Sequence, residues 1–406
     1  MSRSSLSYLR LFVLLAALLL CVGPALSIPS PKDGEDDDKH NDNKDDKDDK
    51  KDNKNVIRVK EGQSIQNAID RAKPYVRIEV EGEHAEQLTI TKDGISLIGK
   101  GARLSPPGHY DPHNFCYGLV KDDAGTTNKS AGICIHGRKI ELADKYTPFD
   151  LHWKVDSVGD PVKDVRVSGF EVVGFDGPNI AVYGGKNTKV SHNKLKAGFR
   201  YGFLTAGSTG TVASENIVIG SAPATLQNGP IGMCMDDLSS AEFSYNNISN
   251  YNIALCTETS GGVNKNNDIH DCCIGNIIDP NVTHAKSIDN HIYRWNKKCP
   301  PDSAAGISLL GAKNALVQGN KIEIGFTGLA PPQGGAGLFL GLEDLFQAVN
   351  EGNTITNNWF GENDADIFDD SKGKNYISNN ICDIAARGPL PGTPAPEYCI
   401  ADKGHY

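Results

Sequence analysis

Methionine and tryptophan are scarce, three of each in 406 residues. Beyond the amino terminus no apolar run reaches the length of about 18–20 residues needed to cross a bilayer. A multi-pass membrane protein is therefore excluded. Positive charge is also short. Lys and Arg number 41 against 51 Asp and Glu, a formal net charge of −10, and no basic patch offsets it. Such a chain lacks the electrostatic footprint of a nucleic-acid binder. Ten cysteines over this length are too few for a disulfide-stapled miniature scaffold. Glycine, by contrast, is abundant at 43 residues. The length suits one large solenoid or two ordinary domains.

The amino terminus reads as an address. Arg3 and Arg10 give a positive start, residues 11–20 are unbroken apolar sequence, and Ala25-Leu26-Ser27 supplies small residues for cleavage. Residues 1–27 are expected to be a secretory signal peptide cut after Ser27, with an apolar core too short to anchor the chain. An extracellular chain permits disulfides. Cys21 leaves with the signal, so nine cysteines remain, an odd number. The expected local bridges are Cys116 with Cys134, Cys272 or Cys273 with Cys299, and Cys382 with Cys399. Asn128, Asn247 and Asn281 stand in N-x-[ST] glycosylation acceptors.

The stretch 32–54 holds 7 Lys and 11 acidic residues and nothing apolar to bury. Residues 28–54 are expected to be a disordered Asp/Lys-rich linker, acting as spacer, wall tether, cation binder or pro-segment. The body, 55–406, keeps 32 basic and 40 acidic residues.

That body repeats itself. Asn, any residue, then Ile, Leu or Val recurs at Asn193, Asn216, Asn246, Asn267, Asn290, Asn320, Asn353 and Asn379. The spacings are 23, 30, 21, 23, 30, 33 and 26, and Phe170-Glu171-Val172 fits one period earlier. The minimum of 21–23 is one coil, and the excess is loop insertion. A second short segment follows each, starting at Asn179, Gly202, Gly232, Asn252, Gly275, Gly306, Gly337 and Asp366, with apolar residues at alternate positions. A coil of this size cannot bury its apolar face alone. Stacking coils about 4.8 Å apart makes one continuous core. The sequence thus predicts an all-β fold, a parallel β-helix. A propeller would repeat at about 40–50 residues. The recurrent Asn are read as structural, at turns where they tolerate left-handed backbone and bond to one another between rungs. A capping helix is expected with Ser64 as N-cap and Ile65, Ala68, Ile69 and Ala72 on one face. Residues 105–160, approximately, form a long insertion, and the Pro/Gly-rich stretch 388–396 is expected to wrap the far end.

The stretch 64–99, an Ala/Ile helix followed by Glu86-Gln87-Leu88-Thr89-Ile90 and Gly94-Ile95-Ser96-Leu97-Ile98-Gly99, resembles the usual start of the pectin-lyase-like superfamily of right-handed parallel β-helices. The Asn-x-Ile rungs resemble its repeat, over roughly residues 56–382. The resemblance implies a carbohydrate partner lying along one outer face. It implies no single reaction, because the superfamily holds lyases, hydrolases, esterases, epimerases, adhesins and phage spikes.

Aligning the second strands puts Tyr183, Ala206, Asp236, Cys256, Asp279, Leu310, Gly341 and Asp370 in one outward column. Asp236 and Asp279 stand two rungs, or about 10 Å, apart. That is close to the spacing of two carboxylates flanking an attacking water. Asp237 adjoins them and Glu258 lies on the rung between. The same oxygens suit Ca²⁺, with Asp236 and Asp279 as ligands. Asp236-Asp237 resembles the paired Asp of polygalacturonase-type hydrolases. No Asn-Thr-Asp precedes it, however, and no Gly-His-Gly or Arg-Ile-Lys follows. The Trp-Ile-Asp-His and Arg-x-Pro-x-x-Arg signatures of pectate lyases are absent too. Elimination needs a base at the sugar C5 proton and a cation at the uronate carboxylate. Arg200 with Tyr201, or His270 with Asp271, are candidates, and Tyr183 and Glu258 stand in reach of a substrate. In the insertion, His109, Asp111 and His113 have a transition-metal pattern, and Tyr146 and Trp153 can stack on a sugar.

Two functions follow. One is a secreted monomeric enzyme, a lyase or hydrolase of an acidic cell-wall or extracellular polysaccharide. The other is a non-catalytic cell-wall or surface binding protein. A deep groove joining the acidic column to Arg200 favours the first. A column closed over by a loop favours the second.

Overall fold

The computed structural model describes residues 56–122, 124–146, 151–221, 229–236, 238–300, 303–329, 334–341, 348–382 and 399–401. The expected signal peptide, the linker, Asp237 and the stretch 388–396 lie outside the described residues.

Alternating apolar residues on short strands stack rung upon rung. Leu195 lies over Val218, Val218 over Ile248, Ile248 over Ile269, Ile269 over Ile292, and Ile292 over Ile322. All six are buried in one core that runs the length of the molecule. Burying each such side chain contributes about 1.5–3 kcal/mol, which no isolated rung could collect. Ten parallel strands form one sheet, running from Leu88–Ile90 through Tyr201–Ala206, Ile231–Asp236, Ile253–Thr257 and Ile274–Ile278 to Ala365–Asp369. A second sheet of 24 strands folds around the remaining sides. The result is a right-handed parallel β-helix, the hand that strand twist imposes on parallel crossovers. Among the described residues, the antiparallel strand pairs lie in the insertion. They are Arg138–Leu142 with Val155–Asp160, and Val120–Lys121 with Asn128–Lys129.

Asparagine stacking is observed, with a corrected membership. The interior ladder is Asn193, Asn216, Asn246, Asn267, Asn290, Asn320, Asn358 and Asn380, linked amide to amide at 2.9–3.1 Å. Asn246 shows the pattern. Its Nδ2 donates to Asn267 Oδ1 and to the Ala213 carbonyl, each at 3.0 Å. Its Oδ1 accepts from the backbone N–H and Nδ2 of Asn216, also at 3.0 Å. Asn353 is displaced to a second, shorter ladder with Asn375. Asn379 is exposed, one residue ahead of the true member. The left-handed residue is also not the ladder Asn but the one before it. His192, Glu215, Tyr245, Asn266, Asp289, Gly319, Asn357 and Asn379 have φ between 51° and 68°. Left-handed backbone costs an L-residue about 1–2 kcal/mol, and the amide bonds of the next residue offset it.

Glycine at a strand start has a steric cause. A Cβ on Gly275 would come within 2.5 Å of the Gly306 carbonyl oxygen, and one on Gly306 within 2.5 Å of the Gly337 oxygen. Neighbouring rungs pack backbone to backbone there.

The helix Ile65–Arg71 caps the first rung, with Ile65, Ala68 and Ile69 buried. Ser64 accepts from the Asn67 N–H at 3.1 Å. Glu86, from the following turn, accepts from Ser64 Oγ, Ile65 N and Gln66 N at 2.8–3.1 Å. At the other end, Lys92 Nζ donates to the carbonyls of Ile69, Asp70 and Ala72 at 2.5–3.1 Å. Both sets of orphan helix groups are thereby satisfied by one rung. Disulfides join Cys116 to Cys134 and Cys382 to Cys399, as expected, and of the two partners left open for Cys299 the bridge takes Cys273. A fourth, Cys234 to Cys256, was not expected, and Cys272 is the buried free thiol.

Candidate functional site

The outer face of the ten-stranded sheet is covered. Cys116, Leu119, Val120 and Val155 of the insertion pack on Ala181, Tyr183, Tyr201, Leu204, Ala206, Cys234 and Cys256 in a second apolar cluster. Strand register fixes the outward column. Tyr183 lies over Ala206, and Ala206 over Asp236. Met235 pairs with Thr257 and Thr257 with Ile278, so Glu258 and then Asp279 continue the column. Cys256, expected there, sits two residues earlier, opposite Cys234. The second segment of that coil is in register two residues later than its Asn252 start suggested, because Ala254 rather than Asn252 occupies the tight position beside Gly232.

Two side chains of the insertion enter this column. His152 Nε2 and Lys154 Nζ each lie 2.5 Å from Asp236 Oδ2. Lys154 Nζ also donates to Glu258 Oε2 at 2.6 Å. His152 Nδ1 faces the Trp153 carbonyl at 2.8 Å, and its ring meets Tyr201 and Tyr183 edge-on at 6.0 and 6.3 Å. Asp236 is 2% exposed, whereas the Lys154 and Glu258 side chains are 24% and 23% exposed. The cluster is thus buried at one end and open at the other, where Asp279 is half-buried.

Electrostatics divide the two neighbouring carboxyls. Burial opposes ionisation of Asp236, but Lys154 and His152 outweigh it and hold the group well below the ordinary carboxylate range. Glu258 goes the other way. Burial pushes it well above its usual value, and the charges of Asp236 and Asp279 add to this against the single pull of Lys154. The pair is thus split in direction, Asp236 toward the carboxylate and Glu258 toward the acid form. Burial, with the nearby Glu258 and Asp236, also raises the Tyr201 hydroxyl well above its usual value.

Several expected roles are corrected. Tyr183, Arg200 and Tyr201, expected at the substrate face, are each 1% exposed beneath the insertion. Arg200 stacks on Phe199 and donates to the Lys121 carbonyl at 3.3 Å, at the strand end remote from Asp236. His270 belongs to the other sheet, bonded to Asp271 at 2.6 Å and stacked on Tyr293. Ca²⁺ does not fit at Asp236, because an ammonium and an imidazole already take its carboxylate. Asp111 accepts from the His113 N–H at 2.9 Å in a local turn, between exposed His109 and His113. Tyr146 and Trp153 pack with each other and against Lys121. Of the acceptor asparagines, Asn128 and Asn281 are exposed, and Asn247 is half-buried against Asp268. His152 and Lys154 escaped the sequence reading, since they sit in an insertion without periodicity. Their only signal was alternation with Trp153.

No family model and no curated relative matches the chain. Solved structures do. A Family 28 exopolygalacturonase from Yersinia enterocolitica aligns with TM-score 0.55 and 12% identity over 84% of this chain and 76% of its own. The Dettilon tailspike protein gives TM-score 0.48 and 14% identity over 80% of this chain, which spans 66% of the tailspike's length. A periplasmic alginate epimerase gives 0.46 and 10% over 80% and 83%. With its stacked parallel rungs and helical cap, the chain shares the overall fold of that exopolygalacturonase.

Proposed function

We propose that the chain is a secreted carbohydrate-active protein, a glycoside hydrolase whose general acid is Glu258. One observation carries this reading. Glu258 is partly exposed and is pushed toward its protonated form by burial and by Asp236, while Asp236 is shut away against His152 and Lys154. Environments that push two carboxyls apart assign acid and base roles. Asp279, one rung beyond Glu258, is the second reacting carboxyl. Asp236 is a positioning residue whose charge helps keep the proton on Glu258.

Adjacent rungs are about 4.8 Å apart, near the roughly 5–5.5 Å separation of double-displacement glycosidases. Glu258 then protonates the glycosidic oxygen as the Asp279 carboxylate attacks the anomeric carbon. The leaving sugar departs with that proton. Water, deprotonated by the Glu258 carboxylate, next releases the second sugar from Asp279, with net retention of configuration. Elimination is served less well, because Lys154 is already held by two carboxyl groups. The surplus of acid groups favours an uncharged sugar at the scissile bond. An exopolygalacturonase of this fold supports polysaccharide as the substrate class, and four disulfides support an oxidising, extracellular setting.

The second reading, a non-catalytic binding protein, is favoured by the closure of Asp236 beneath the insertion. A panel of plant, algal and microbial polysaccharides separates them, read for new reducing ends and for unsaturated-uronate absorbance. Reducing ends without absorbance, abolished in Glu258→Gln, are expected. Absorbance would replace the hydrolase by a lyase, and silence across the panel would leave the binding protein.

A further inference from the structure

The sequence holds no basic run, yet stacking builds a basic patch. Lys163-Asp164-Val165-Arg166 and Lys186-Asn187-Thr188-Lys189 lie 23 residues apart and fall on successive rungs in register. Lys163 pairs with Lys186, and Arg166 with Lys189. The intervening Val165 and Thr188 point inward, and all four cations are exposed. They form a square of positive charge whose vertical edges are one rung, about 4.8 Å, long. Like charges set directly opposite each other on neighbouring strands repel. None of the four takes part in an ion pair among the described residues. Two carboxylates adjoin the square, Asp164, which accepts from Asn187 Nδ2 at 3.2 Å, and Asp93, which accepts from the Lys163 N–H at 2.9 Å, so two of the four charges remain in excess. One rung further on, the aligned positions are neutral Thr209 and Val212.

We infer that this square is a docking site for an acidic polysaccharide, distinct from the hydrolytic column. The body carries net negative charge, so a local cationic square is where a polyanion would meet an excess of the opposite sign. Lysine and arginine ends one rung apart reach successive carboxylate or sulfate groups along a single strand of polymer. The square lies on the 24-stranded sheet, whereas Glu258 follows a strand of the ten-stranded one. Docking there holds the protein on an acidic matrix without presenting that polymer to the acid cluster. This inference does not depend on the chain being an enzyme.

The test is retention of the full chain on immobilised polygalacturonate, dextran sulfate and neutral dextran across a salt series. Retention on the two polyanions at low salt, falling as salt rises, is expected. Lys163→Glu/Lys186→Glu should weaken it at least tenfold and flatten the salt dependence. Lys297→Glu/Lys298→Glu makes the same change of net charge at exposed positions elsewhere and should leave it within twofold. Circular dichroism melts confirm that both variants fold. Equal loss in the two variants, no retention by the wild type, or tighter retention on duplex DNA of matched charge would each overturn the inference. So would retention that emerges only when residues 28–54 are deleted, since the square would then serve the chain's own acidic segment. Because the readout is retention rather than cleavage, its failure is distinguishable from failure of the hydrolase reading.

Discussion

One stacking rule builds two columns in this molecule, and they have opposite needs. Inside, the ladder from Asn193 to Asn380 repeats an amide, which both donates and accepts. Each member satisfies the next, and the ladder runs unbroken over eight rungs. Outside, Asp236, Glu258 and Asp279 repeat a carboxyl at the same spacing. Carboxylates only accept, so this column cannot satisfy itself. It takes His152 and Lys154 from the insertion, and burial beside Asp236 and Asp279 pushes Glu258 toward its protonated form. Repetition alone stabilises a self-complementary residue. A column of like charge needs partners from outside the repeat, and there the fold acquires chemistry.

The sharpest way to break the contrast is Lys154→Met. It strips the shared cation from two carboxyls and should lower stability by about 3–5 kcal/mol, as removal of one member of a buried pair does. Denaturant unfolding measures this, and pairing it with Asp236→Asn should recover part of the loss. Next is Asn267→Ala. It leaves the Asn246 N–H and Nδ2 without their acceptor, for an expected loss of about 2–3 kcal/mol.

The pH dependence of stability should separate the two carboxyls. Asp236 is depressed in the folded state, so its contribution is present above the unfolded carboxylate value and lost as pH falls through the folded one. Glu258 is raised, so its contribution is present below the unfolded value and lost as pH rises through the folded one. Melting curves across pH should show Asp236→Asn flattening the acid limb and Glu258→Gln the alkaline limb. A swap of those assignments would sink the acid–base proposal. The smallest effect is expected at Tyr245, which is left-handed at φ 56° just before a ladder residue. Tyr245→Gly relieves about 1–2 kcal/mol of strain against about 0.5–1 kcal/mol of added chain entropy. A gain near 0.5 kcal/mol in denaturant unfolding would confirm that the turn residue, not the Asn, bears the strain.

The periodic parts of this structure were legible in the sequence. The rungs, the cap at Ser64, two of the disulfides and the places of Asp236 and Asp279 in one column all follow from spacing and alternation. Reading failed where an insertion changed the phase. Between Asn320 and the next ladder member the chain runs 38 residues, and the nearest Asn-x-Ile match, Asn353, belongs to the neighbouring ladder. At Asn358 the motif reads Asn-Trp-Phe and escapes an aliphatic pattern. Cys256 was placed two residues out because Ala254 stands where other rungs carry Gly. His152 and Lys154 had no repeat to report them. Their partners lie 84 and 82 residues away, and only the folded insertion brings them together.

The cap has a consequence for assembly. A stack of parallel rungs ends in a strand with unpaired N–H and C=O groups, and such an edge templates another copy of itself. The first strand, Val56–Val59, is only four residues long, and Arg58 on it is exposed. The helix behind it closes the apolar bore, clamped by Glu86 and Lys92 from a single turn of chain. Two side chains thus hold the helix over the open end of the core. Loosening them would expose that end of the core to another strand.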